Sequence, residues 1–136
     1  MLRSLAAVTV VVPGYEDGLA FFRDILGFVI VEDTPLSHTK RWLVVAPSRD
    51  AGAALVLAVP SDDRQRARIG DQTGGRVGFF LHSTDFWADY EKLGKRGVAF
   101  LESPRDEPYG TVAVFVDPWG GKWDLLQPAS THLEAP

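Results

Sequence analysis

The sequence predicts an α+β fold of two tandem βαβββ modules, and three observations lead there. A strand, a helix and three strands follow one another in the first half, and the same order returns in the second. Each half carries a helix whose apolar residues recur at four- and three-residue spacing: Tyr15, Leu19, Phe22 and Leu26 in one, Phe86, Tyr90 and Leu93 in the other. Each helix runs into a glycine, Gly27 or Gly97, placed where a left-handed cap stops a helix.

The elements follow in order. AVTVVV is a β-branched first strand, and the turn PGYEDG leads from it into the first helix. After Gly27 come VIVEDTP, KRWLVVAP and AALVLAVP, three strand-like runs parted by turn residues, with Lys40 and Arg41 at a solvated strand start. The polar segment SDDRQRARIGDQTGGR joins the halves and has room for a short surface helix. RVGFFLH opens the second half as a strand, and Thr84 or Asp85 caps the second helix. VAFLESP, GTVAVFVDP and GKWDLLQP complete it as three strands. The first module thus covers about residues 5–60, the linker 61–75 and the second module 76–128, followed by a short polar tail, all within one domain of 136 residues.

Composition narrows the function. Hydrophobic residues at 46% and charged residues at 24% describe an ordinary globular chain with enough material for a core. The 14 basic and 18 acidic residues leave a net charge of −4 with no long basic run, which argues against nucleic acid as a partner. No apolar stretch reaches the length of a membrane span, and the run LAAVTVVV passes straight into a turn without a small-x-small cleavage site, so it reads as a strand and not as a secretion signal. The chain has no Cys, hence no disulfide, thiolate metal site or cysteine nucleophile, which fits a cytoplasmic location. Nucleophile elbow, phosphate-cradling glycine loop and dinucleotide fingerprint are all missing from the sequence.

The closing stretch VAVFVDPWGGKWDLLQP reads as a hairpin. Asp117 caps its own backbone, Pro118 presets φ, and Gly120 or Gly121 takes a positive φ. Inside its second strand stands Asp124, between Trp123 and Leu125, although Asp is depleted in strands and costly to bury unpaired. By alternation Trp123 faces away from Asp124 and packs under a helix.

The duplication, LAFFRDILGF after the first strand and DPWGGKWDLLQ at the end make the chain similar to the vicinal oxygen chelate superfamily, the glyoxalase, bleomycin-resistance and extradiol-dioxygenase group, over about Leu5 to Pro128. The resemblance implies curved mixed sheets enclosing a cavity, usually in a homodimer. In metal-using members the first and last strands of each module supply His, Gln or Glu ligands. The matching positions here are Ala7, Val56 or Leu57, Arg76 and Asp124, of which Asp124 alone has a ligand-type side chain. His38 and His132 lie in turn-rich and tail segments, so no metal and no cofactor is expected.

On the same resemblance Arg76 and Asp124 face each other across the cavity, Arg76 supplying in place of a metal the positive charge that satisfies the carboxylate. His82 either enters the cavity, by the alternation 76, 78, 80, 82 of an unbulged strand, or sits on the surface at the strand end. Phe80 and Trp42 are candidate stacking walls for a planar ligand. Glu107 and Tyr109, in the RDEPYG loop beside the cavity mouth, either touch a ligand or belong to a solvated turn. The function expected is a metal-free small-molecule-binding protein. The alternatives are a glyoxalase- or dioxygenase-like enzyme acting on a small oxygen-bearing substrate, with Arg76, Asp124 and His82 as polar catalysts, and an interaction domain with a filled cavity.

Overall fold

The structure, a computed structural model, describes residues 1–130; the expected solvated tail beyond, with His132, lies outside the described residues. The elements are β1 (Ala7–Val11), α1 (Tyr15–Phe22), β2 (Val29–Pro35), β3 (Arg41–Ala46), β4 (Ala54–Ala58), α2 (Asp63–Arg66), β5 (Val77–His82), α3 (Phe86–Lys95), β6 (Ala99–Phe100), β7 (Arg105–Glu107), β8 (Gly110–Val116) and β9 (Lys122–Pro128). The fold is α+β, and the chain divides into two compact units between Ile69 and Gly70.

In the first unit a four-stranded sheet runs β1-β4-β3-β2, with β1 parallel to β4 and the other pairs antiparallel. α1 packs on one face, where Val10, Val12, Leu43, Val45 and Leu57 are buried with Leu19 and Phe22 of the helix. Gly18 permits that contact: a Cβ there would sit 2.9 Å from Leu57 Cδ1. A glycine inside a helix weakens it by about 1 kcal/mol, which the closer approach of helix to sheet offsets. α1 is shorter than its apolar spacing predicts. The N–H groups of Asp24 and Leu26 reach five residues back, to Leu19 and Phe21, so the last turn widens before Gly27 (φ 79°) ends it.

In the second unit the sheet runs β5-β9-β8-β6, with β7 also paired to β8. β5 and β9 are parallel. Asp85 caps α3 by accepting from Ala88 N. Trp123, 1% exposed, stacks between Phe79 (4.2 Å) and Phe115 (5.8 Å), and the aromatic packing continues through Phe100 to Tyr90 of α3. The β8–β9 turn forms as its residues predict. Asp117 accepts from Trp119 N (3.1 Å), Gly121 N (2.8 Å) and Trp123 Nε1 (3.0 Å), and Gly120 takes φ 106°. Two expectations are corrected. The strand VAFLESP contracts to Ala99–Phe100, and RDEPYG is no plain loop: its first three residues pair with Val112, Thr111 and Gly110 as a short hairpin.

Candidate functional site

Side chains at paired positions of a sheet share a face. Asp124 is flanked by Phe80 on β5 and Val114 on β8, and Leu126 by His82 and Val112. Val112 in turn pairs with Arg105 of β7. These residues therefore lie on the face opposite Trp123 and Phe115, away from α3. Phe80 is 62% exposed there, a large apolar ring left against open space. Asp124 is half-buried, and its Oδ1 is sealed from solvent yet accepts no hydrogen bond from the described residues. Burial pushes its carboxyl pKa up, the Arg105 charge opposes that shift, and the Glu102 charge adds to it.

Arg105, not Arg76, is the arginine whose charge acts on Asp124. Its guanidinium is held by Glu102 (2.8 Å) and Glu107 (2.7 Å), and hydrogen bonds to these two and to Tyr109 keep its pKa raised. Arg76 stands ahead of β5, exposed, in a turn where its carbonyl accepts from the Thr73 hydroxyl. The expected Arg76–Asp124 pair is corrected for a specific reason. Val77 pairs with Lys122 and Phe79 with Trp123, so β5 carries one extra residue, and this bulge breaks the alternation that would put Arg76 on the face of Asp124. Past the bulge the alternation holds. His82 is exposed at the strand end, on the same side of the sheet as Phe80. Glu107 is half-buried against Arg105, and Tyr109 is exposed in the β7–β8 turn.

The first unit also has a face that α1 leaves open. Trp42, Val44 and Val56 occupy it by register, with Glu32 opposite Val44. Trp42 is 41% exposed, and its Nε1 donates to Glu32 Oε2 at 2.7 Å. Arg41 points to the covered side and is no ordinary solvated residue: it binds Asp33 (2.7 Å) and Glu16 (3.1 Å) and lies 5.1 Å from the centre of the Tyr15 ring, tying the start of α1 to the sheet.

The family model described as "Glyoxalase/Bleomycin resistance protein/Dioxygenase superfamily" matches residues 4–125. The chain belongs to that superfamily. It is 42% identical to an uncharacterized protein of Shewanella frigidimarina, covering 93% of this chain and 95% of that one. Among solved structures, UcmS2 superposes with a TM-score of 0.78 at 32% identity, covering 93% of this chain and 98% of UcmS2. TnmS3, an antibiotic binding protein from Streptomyces sp. CB03234, superposes with a TM-score of 0.75 at 31% identity, over 94% of this chain and 98% of its own.

The superfamily's metal positions do not fit a metal in this chain. Ala7, Val56 and Leu57 have no donor atom in their side chains and Arg76 is cationic, so Asp124 is left as a lone ligand of the four positions. Among the described residues no three His, Asp or Glu side chains gather in a metal-binding group. Arg105, Glu102 and Glu32 escaped the sequence reading. For the first two a signal existed, an arginine with Glu at three residues before and two after. Glu32 is visible only once the β2–β3 register is known.

Proposed function

We propose that the protein is a small-molecule-binding member of its superfamily that works without a metal, and that binding occurs on the open sheet faces. The observation that carries this reading is Phe80, 62% exposed beside a half-buried Asp124 with an unsatisfied oxygen. A ligand that covers the exposed ring and donates a hydrogen bond to the carboxyl stabilises both. The likeness to TnmS3, itself an antibiotic binding protein, supports the same reading at 31% identity. We place the protein in the cytoplasm as a homodimer, with Phe80, Asp124, His82, Glu107 and Tyr109 contacting ligand on one face and Trp42 on the other.

Thermal melts of the purified protein against a broad panel of charged and neutral aromatic compounds test the reading, with elemental analysis of the same sample. A ligand at a hundred times its Kd adds about 2.7 kcal/mol, several degrees in Tm. A panel without one stabilising compound refutes binding, and one transition metal per chain refutes the metal-free part. A second reading, an enzyme, has one observation in its favour: a carboxyl with a raised pKa near a guanidinium pairs a proton acceptor with a carbonyl-polarising cation. It predicts that Asp124→Asn abolishes turnover of a compound that the variant still binds.

A further inference from the structure

The charges around the two exposed rings say what kind of ligand they suit. In the second unit, three carboxyls, Asp124, Glu102 and Glu107, share a face with two cations, Lys122 two residues before Asp124 on β9 and Arg105, which the two glutamates already hold at 2.8 and 2.7 Å. Arg105 therefore has little left to offer an anionic ligand, and the group as a whole is negative. In the first unit the Glu32 carboxylate receives the indole N–H of Trp42, a neutral donor that leaves its charge in place. Each open face thus repeats one arrangement: a part-exposed aromatic ring beside a carboxyl that, among the described residues, forms no ion pair, the nearby Arg105 being held by Glu102 and Glu107. An anion at either place meets like charge, and a neutral ligand leaves the carboxyl's charge unanswered. A ring that stacks while its protonated nitrogen donates to the carboxyl answers both needs, with a charge-assisted hydrogen bond and cation–π attraction to the protein ring.

On the small-molecule reading above, on which this step rests, we infer that the ligand is a planar aromatic cation, stacked on Phe80 with its protonated nitrogen against the Asp124 carboxyl. The raised pKa of that carboxyl agrees, because a cation bound there stabilises the ionised form that burial disfavours.

Three probes with one ring system and different charge test it: 9-aminoacridine as the cation, acridine as the neutral compound and acridine-9-carboxylate as the anion. Titration calorimetry on the full chain at about pH 7.5, where 9-aminoacridine is a cation, should find it bound at least about tenfold more tightly than acridine, and the carboxylate more weakly than either. Asp124→Asn should remove the advantage of the cation while acridine affinity stays within about twofold, and Phe80→Ala should weaken all three. The advantage should also shrink with added salt. Equal binding of cation and neutral compound overturns the inference and leaves the small-molecule reading standing, as does failure of all the acridines when other panel compounds bind. A cation preference that survives Asp124→Asn but vanishes in Glu32→Gln overturns the placement on Asp124. If nothing in the broad panel binds, the small-molecule reading falls with it.

Discussion

At Asp124 the fold accepts a carboxyl where an apolar strand residue would be easier to bury. Its raised pKa means that the folded chain holds this proton more tightly than the unfolded one. The contribution to stability is therefore fully present below the unfolded value of about 3.9 and is lost as pH rises through the higher folded value. Asp124→Asn removes that loss. The variant should be more stable than the native protein at neutral pH, by about 1 kcal/mol given the partial exposure, with the difference closing near pH 4. Urea melts at both pH values check it, and a native protein as stable as the variant at neutral pH would count against a strained carboxyl. Arg76 belongs to the same account by its absence. In a double-mutant cycle, Arg76→Met and Asp124→Leu should be additive within error, because the β5 bulge keeps the two apart.

At the scale of the elements, the β8–β9 hairpin is held by one side chain. Asp117 is buried at 5% exposure, and its carboxylate collects two backbone N–H groups and the indole of Trp123. The turn is thereby linked to the aromatic stack under α3, and β9 presents Trp123 inward and Asp124 outward. Asp117→Ala leaves those donors without an acceptor and should destabilise the protein by about 3 kcal/mol. Asp85→Ala, which removes a cap at the exposed start of α3, should cost about 1 kcal/mol. Denaturant melts that rank the two the other way would show that the hairpin does not depend on Asp117. Sequence spacing located both helices and missed where α1 ends, since the pattern of apolar residues continues to Leu26 while the hydrogen bonds widen after Phe22.

For the whole molecule the duplication sets the terms. Each unit covers one face of its sheet with a helix and leaves the other face to something else, and β2, exposed along most of its length, ends the first sheet as an edge strand. Such an edge is an aggregation liability unless another chain or segment covers it. A second copy of the chain is the expected cover, since closed symmetric dimers are the commonest soluble assemblies. Light scattering at micromolar concentration should return the mass of two chains, and a monomer under those conditions would remove the dimer from the proposal.

By itself the sequence determined the order of strands and helices apart from β7, the duplication, the Asp117 turn and the opposition of Trp123 to Asp124. All of these follow from short-range periodicity and turn chemistry, which act between residues a few positions apart. It also singled out Asp124 as a carboxyl in an unusual place. Which cation stands near that carboxyl was decided only by the tertiary structure. A hairpin that pairs RDE with Val112, Thr111 and Gly110 puts Arg105 on its face of the sheet, and Arg76 loses it through one extra residue in β5. The pairing of Trp42 with Glu32 likewise depends on the register between β2 and β3, which itself shifts between Ile30 and Glu32. Register and bulges are settled by contacts between distant segments, and a slip of one residue turns a side chain to the other face of the sheet.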